Sequence, residues 1–401
     1  MTKILVLGGA GQMGRVAARA LAGQHELVVT DLDARVAGRV AASIGPTVAG
    51  RGLDVTDAAA LRAALNACDL VVNTVGPYYR FGMPILTAAI EAGCDYIDIC
   101  DDWEPTLTML DLRERARDAG VVALVGMGAS PGVANLLAVT AARELDSVDS
   151  VITAWSGTDA GTAHDSDAGG RAPGAAYLHA IRQITGTIRV TREGELVDRP
   201  ALERVDIDYP GLGAGVGWSF GHPEAVTLHR AMPELRDNTN VITGGRALYA
   251  LCRGLRMSVD RKLLSVDRAA RVAARVVSML PPGNLGDGVL PPLFAMVTGR
   301  RDGEPATVAT ALAQVPGRGM SDNTGIPLAV AALLLGTRDR PAGVHTPETL
   351  FDPDEFFAAF APHCIGNPAP AAMTATTRSW VGARDNAESL RASLLTGLLV
   401  P

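Results

Sequence analysis

Gly9, Gly11 and Gly14 stand at G-x-G-x-x-G spacing directly after the apolar run Ile4-Leu-Val-Leu7. Val16, Ala17, Ala20 and Leu21 then recur at helical spacing, so the glycines fall where a short buried strand turns into a helix. At such a junction the first glycine permits a tight turn and the second lets a pyrophosphate approach bare backbone. The third lets the helix press against its strand. The N–H groups that open the helix hold phosphate charge, which adds Gln12 and Met13 to the phosphate site. A second strand, Val28-Val-Thr-Asp31, ends on an acid 22 residues after Gly9, where an adenosine ribose presents its hydroxyls. The spacing predicts a dinucleotide site; a functionless glycine-rich turn accounts poorly for Asp31.

A carboxylate at position 31 accepts from both ribose hydroxyls and repels a 2′-phosphate, which favours NAD. Arg35, one helical turn on, is a phosphate ligand in reserve and leaves NADP open. Asp54 and Val55 end a third strand and fall beside the adenine. Asn73, Thr74, Gly76 and Pro77 end a fourth, where the chain passes close to a nicotinamide ribose. Tyr78 and Tyr79 follow, each readable as facing substrate or as a core tyrosine with a satisfied hydroxyl. Asp98, Asp101 and Asp102 crowd the end of a fifth strand. An acid there serves to take a proton from a substrate amine, and helix capping by Asp102 is the plainer reading. Tyr78, Asp101 and Asp102 are the catalytic candidates.

Ser130-Pro-Gly132 opens a helix whose amides suit a carboxylate, or else links two domains. Arg171, Tyr177, His179 and Arg182 form a candidate recognition group, since a bidentate arginine suits a carboxylate. Substrate contacts are assigned to Tyr79, Ser130, Arg171 and Tyr177. His222-Pro-Glu224 either touches substrate or turns the chain. His164-Asp-Ser-Asp167 lacks a second imidazole, and no metal site is expected.

The elements that must position these residues alternate regularly up to about residue 128. Strands are read at 4–7, 28–31, 47–54, 69–73, 96–100 and 121–125, with helices at 34–43, 56–67, 83–92 and 111–119 between them. That rhythm is a doubly wound parallel sheet with right-handed crossovers, which binds ligands at the carboxyl ends of its strands. Beyond it, strands at 151–155, 186–190, 203–208, 225–228 and 306–314 and helices at 175–185 and 246–279 read as a mixed α/β domain. Gly157–Gly174 reads as a loop or lid. Residues 326–335 read as an apolar helix that packs back on the first domain. The boundaries expected are 1–128, 129–316 and a C-terminal helical segment, 317–401.

Composition narrows the function. In 401 residues the net charge is −7, which gives no sign of a nucleic-acid surface. The longest apolar run, 326–335, is half of the roughly 20 residues a membrane span needs. Five cysteines form no C-x-x-C pair and indicate reduced thiols in a cytoplasmic setting. Only Lys3 and Lys262 are lysines among 36 basic residues. Gly8, Gly11 and Gly14 also fit the glycine pattern of short-chain dehydrogenases, but the residue four before Lys262 is Ser258, so their Tyr-x-x-x-Lys pair is missing. Lys262 itself reads as part of a solvated, arginine-rich helix.

The glycine loop, Asn73-Thr-Val-Gly-Pro-Tyr-Tyr79, the run Ala88-Ala-Ile-Glu-Ala-Gly-Cys-Asp-Tyr-Ile-Asp98 and Gly128-Ala-Ser-Pro-Gly-Val-Ala-Asn135 together resemble the saccharopine dehydrogenase-like family. Thr324-Gly-Ile-Pro-Leu-Ala, Gly343-Val and Pro347-Glu348 continue the likeness almost to the chain's end. The resemblance implies a Rossmann domain, a mixed-sheet domain for substrate binding and dimerisation, and C-terminal helices returning to the first domain. It also implies NAD(P)-dependent hydride transfer at the C–N bond of an amine or imine, in an amino acid or polyamine-like substrate. Two other readings remain open here: a dinucleotide-binding sensor or scaffold without turnover, and a reductase of C=O bonds.

Overall fold

The computed structural model describes residues 2–157, 175–279, 290–317, 319–336 and 340–380. The chain divides into two compact units, Met1–Val133 with Ser321–His363, and Ala134–Met320 with Cys364–Pro401.

In the first unit β1 (Lys3–Leu7), α1 (Gln12–Leu21), β2 (Glu26–Asp31), α2 (Ala34–Ile44), β3 (Val48–Gly52), α3 (Ala58–Leu65) and β4 (Leu70–Asn73) follow one another without long loops. They continue as α4 (Tyr78–Ala92), β5 (Asp95–Asp98), α5 (Trp103–Leu110), α6 (Arg113–Asp118) and β6 (Val122–Leu124). All six strands run parallel in the order β3-β2-β1-β4-β5-β6. The four residues of β4 are buried throughout, as a strand covered on both faces requires. The Asp33 and Asp57 carboxylates accept the first N–H groups of α2 and α3, which sets where those helices begin. Leu5, Leu7, Val71, Ile85, Leu86, Ile90, Tyr96 and Ala123 share one core on the α3–α4 side.

Several boundaries differ from the sequence reading, two of them for a visible local reason, and one helix is additional. α4 begins at Tyr78 rather than 83, because the turn closed by Arg80 and Phe81 N–H bonds to the Pro77 carbonyl starts it; Pro84 is interior to the helix. β5 stops at Asp98 rather than 100, because the Asp98 carboxylate takes the Cys100 N–H and bends the chain away. The released segment then forms α5, whose Pro105 hides it from a propensity reading.

α7 (Val133–Ala142) leads into the second unit, which holds β7 (Ser147–Ser156), α8 (Ala175–Gln183), β8 (Thr187–Arg192), β9 (Glu195–Pro200), β10 (Arg204–Tyr209) and β11 (Gly213–Ser219). α9 (Glu224–Ala231), β12 (Asp237–Thr243), α10 (Arg246–Asp260), α11 (Val266–Met279), β13 (Leu293–Arg301) and β14 (Glu304–Leu312) follow. The sheet is mixed: β12 and β7 are parallel, whereas β10–β11, β11–β12, β7–β13 and β13–β14 are antiparallel, and the β8–β9 hairpin branches from β12.

The strand expected at 225–228 is a helix, α9. Val226 and Thr227 donate to the Pro223 carbonyl, and a four-residue stretch with one β-branched pair is too short to resist that nucleation. The helix expected over 246–279 is two helices. Lys262 sits in left-handed backbone at φ +60° in the turn between them, so it is an exposed turn residue and not part of a helix.

α12 (Met320–Leu335) belongs to the first unit from Ser321 onward. A Cβ on its Gly325 would stand 2.8 Å from the Met13 carbonyl oxygen and 2.9 Å from Val16 Cβ, so α12 lies hard against α1. β15 (Gly343–His345) adds a seventh parallel strand beside β6, followed by α13 (Pro347–Leu350) and α14 (Pro353–Phe360). The segment 317–401 is therefore not a single helical return. β16 (Thr374–Ser379) pairs with β14 in the second sheet, and Arg378 beside it forms an ion pair with Glu144. Among the described residues no helix is long and apolar enough to cross a membrane.

Candidate active site

Chain order and spatial order disagree at one place in the first sheet: β1 connects onward to β2 on one side and lies against β4 on the other. The carboxyl ends of β1 and β4 are thus the switch point where doubly wound sheets take ligands. Gly8 and Thr74 meet there. The Thr74 hydroxyl donates to the Leu7 carbonyl at 2.8 Å, and a Cβ on Gly8 would lie 3.0 Å from that hydroxyl oxygen. Gly9 N–H donates to the Thr30 carbonyl at 2.9 Å, tying the loop to β2 as well.

The three fingerprint glycines differ in what surrounds them. A Cβ on Gly9 would be 2.9 Å from Val29 Cγ1, and one on Gly14 would be 2.5 Å from the Gly8 carbonyl oxygen and 2.8 Å from Gly9 Cα. Both are closed in by the fold itself. Among the described residues a Cβ on Gly11 would meet only the Gly8 carbonyl oxygen, at 3.1 Å, and this residue is exposed. Gly11 is the N-cap of α1, and no side chain caps that helix. A helix start with no side-chain cap, with Gln12 and Met13 in its first turn, fits a pyrophosphate.

Asp31 ends β2, half-buried, and accepts the Asp33 N–H at 3.2 Å. Arg35 is 89% exposed on α2 and reaches toward the Asp33 carboxylate at 3.8 Å. Beyond β3, Asp54 is exposed and accepts the N–H and hydroxyl of Thr56, which hold its carboxyl below the usual range, while Val55 packs on the core. These positions line the carboxyl edge from β1 to β3, as an adenosine half requires.

On the β4–β5–β6 side the edge is built from buried polar groups. Asn73 Nδ2 donates to the Tyr96 hydroxyl at 2.9 Å, and that hydroxyl donates to Asp98 Oδ2 at 2.7 Å. Asp98 Oδ1 accepts the N–H groups of Cys100 at 3.0 Å and Gly126 at 2.8 Å. Burial pushes the Asp98 carboxyl up to about 6, against the Tyr96 hydroxyl and the two amides that favour its ionised form. Asp98 thus ties loops together, leaving Asp101, half-buried, and Asp102, buried at the start of α5, as the acids beyond the strand end. Asp102 is the N-cap residue of α5, but its side chain makes no capping bond.

Tyr78 takes the structural alternative. It is buried, its hydroxyl donates to the Asn73 carbonyl at 2.9 Å, and burial raises that hydroxyl well above its usual value. Tyr79 is 41% exposed on α4. The peptide bonds Gly76–Pro77 and Ser130–Pro131 are cis. Ser130 is half-buried in a tight loop after β6, where Gly128 N–H donates to the Pro131 carbonyl at 2.7 Å.

Of the second-unit candidates, Arg171 and the 164–167 segment lie outside the described residues. Tyr177 packs on the core formed by Ile181, Trp218, Phe220 and Leu248. A buried polar group in that unit was read only in part from the sequence. Glu224, fully buried, holds the His222 Nδ1 at 3.5 Å and accepts from Asn240 Nδ2 at 3.3 Å, while Trp155 stacks on the His222 ring. The signal was partly visible as His222-Pro-Glu224, but Asn240 sits in a strand whose polar face masks it.

A glycine cradle at the switch point, an acid at the end of β2 and a polar edge beyond β4 define an NAD(P)-dependent oxidoreductase. Comparison with known proteins agrees. Residues 4–124 match the family model for the saccharopine dehydrogenase NADP binding domain. A carboxyaminopropylagmatine dehydrogenase of Synechocystis sp. is 26% identical over 399 residues, covering 89% of this chain and 95% of that protein. A carboxynorspermidine synthase of Vibrio alginolyticus is 25% identical over 315 residues, covering 72% and 74%. In fold, the chain is similar to the apo saccharopine dehydrogenase (L-Glu forming) of Saccharomyces cerevisiae. The TM-score is 0.58 at 17% identity, across 95% of this chain and 100% of that one. The chain is thus similar to the saccharopine dehydrogenase-like family, by the family model over residues 4–124 and by these relatives over 72–89% of its length.

Proposed function

We propose that the protein transfers hydride between NAD(P) and a carbon–nitrogen bond, reducing an imine formed from an aldehyde and an amine or running that reaction in reverse. The observation that carries this reading is the glycine loop at the β1/β4 switch point, exposed at Gly11 and with no side-chain cap on α1. Relatives covering 89% and 72% of the chain, a carboxyaminopropylagmatine dehydrogenase and a carboxynorspermidine synthase, support the substrate class. The nicotinamide, when bound, supplies or accepts the hydride.

The chain's own residues do the rest. Gly9, Gly11, Gln12, Met13 and Gly14 hold the diphosphate; Asp31, Asp54 and Val55 flank the adenosine; Asn73, Thr74, Gly76 and Pro77 flank the nicotinamide ribose. Asp101 or Asp102 carries the proton of the substrate nitrogen and offsets the positive charge of a protonated imine. Tyr79, Ser130, Arg171 and Tyr177 are assigned to the substrate, Arg171 for its carboxylate. Tyr78 is withdrawn from the catalytic set, since its hydroxyl is engaged by Asn73.

A homodimer in a cytoplasmic compartment completes the proposal. All five cysteines are free, which suits reducing surroundings, and the family resemblance supports the dimer.

The direct test incubates the protein and NADH or NADPH with a carboxylate-bearing aldehyde, an α,ω-diamine, or both. Nicotinamide oxidation that requires both, with a secondary amine found by mass spectrometry, is the expected result. Turnover on aldehyde alone would make the protein a carbonyl reductase, and no turnover with any partner would make it a sensor. For cofactor choice, Asp31→Ser removes the charge that a 2′-phosphate would meet. It is expected to shift the NADP/NAD ratio of kcat/KM upward by about tenfold; an unchanged ratio would remove Asp31 from the ribose site.

A further inference from the structure

We propose that Asn73, Tyr96 and Asp98 form a positioning relay that sets the Thr74–Pro77 loop for the nicotinamide half of the dinucleotide. The inference rests on the dinucleotide reading above and assigns the relay no contact with substrate.

Three fully buried polar side chains in one parallel sheet need a reason, because apolar residues would fill the same volume without desolvation cost. Their placement supplies one. Asn73 and Asp98 are the last residues of β4 and β5 and are paired in register. Tyr96, two residues before Asp98, lies on the same face of its strand and bridges the two side chains.

Each end of the relay grips backbone beyond its strand. Asn73 Oδ1 accepts the Val75 N–H at 3.0 Å, inside the Thr74–Pro77 loop. Asp98 accepts from Cys100 and from Gly126, the starts of the loops after β5 and β6. The Asp98 carbonyl also accepts the Met127 N–H at 2.8 Å. One connected set of bonds therefore fixes three strand-end loops relative to one another. Such a fully satisfied buried network favours one arrangement over its alternatives. The glycine loop has a tie to β2 that the relay does not share, Gly9 N–H to the Thr30 carbonyl, so the relay acts first on the nicotinamide half of the ligand.

That asymmetry makes a test. In Tyr96→Phe the ring volume stays but the bridge between Asn73 and Asp98 is cut. Binding is measured calorimetrically, well below the melting temperature, for NAD(P)+ and for ADP, which carries the adenine half and diphosphate alone. NAD(P)+ affinity is expected to fall about tenfold with ADP affinity within about twofold of the wild type. Equal loss for both ligands, or no loss for either, would overturn the relay. A wild-type protein that binds neither ligand refutes the dinucleotide reading instead. Should Tyr96→Phe not fold, Asn73→Ser breaks the chain from its other end and should give the same split. Failure of both variants to fold would make the network a folding element and end the proposal.

Discussion

Gly11→Asp is expected to abolish NAD(P) binding in a protein that folds as well as the wild type. Gly11 has ordinary extended backbone, φ −68° and ψ 171°, and an added Cβ meets only the Gly8 carbonyl oxygen at 3.1 Å. An aspartate is moreover a preferred N-cap, so α1 gains a capping partner it lacks. The same carboxylate would stand where the diphosphate must sit. Two charges about 4 Å apart near a protein surface repel by roughly 4 kcal/mol, which is about a thousandfold in affinity. Gly11→Asn, with the same shape and capping ability but no charge, should lose far less. Titration of both variants, with thermal melts beside them, checks the claim; an Asp variant that binds as tightly as the Asn variant would show that no anion approaches Gly11.

Gly14→Ala should have the opposite character, harming the fold before it harms binding. Its Cβ would lie 2.5 Å from the Gly8 carbonyl oxygen, 2.6 Å from Thr74 Oγ1 and 2.8 Å from Gly9 Cα. Two of these are backbone atoms of a loop fixed to β2 and β4, so neither can retreat without moving the sheet edge. Overpacking of this kind costs about 3 kcal/mol, and a single methyl suffices here. Urea denaturation should show a markedly lower midpoint at unchanged slope. A variant with the wild-type midpoint would mean that α1 does not press on the glycine loop.

The contrast between these two glycines explains how much of the site the sequence displayed. Fingerprint spacing reports a strand–turn–helix junction, and that local constraint survives in any context, so the turn at Gly9 to Gly14 and the strand ends at Asp31 and Asn73 were legible. Long-range satisfaction of polar groups was not. β12, which begins Asp-Asn-Thr-Asn, was not among the strands read from the sequence, yet Asn238 and Asn240 are fully buried, the one donating to the Glu224 carbonyl and the other to Thr153 and Glu224. Nor does the sequence separate Asp98, whose carboxylate accepts three donors, from Asp101 and Asp102 beside it. α9 and α5 were missed for a related reason: a proline near the start of each, Pro223 and Pro105, punctuates the pattern that periodicity would detect. Tyr78 and Tyr79 are adjacent and of one type, and only packing separates the buried one from the exposed one.

The account is tested most directly by following the hydride itself. With NAD(P)H deuterated at the transferable position of the nicotinamide C4, a carboxylate-bearing aldehyde and a diamine, the account predicts deuterium on the product carbon bonded to nitrogen. The secondary amine should be one mass unit heavier. Deuterium on an alcohol carbon, or none transferred while the dinucleotide remains bound, would contradict it.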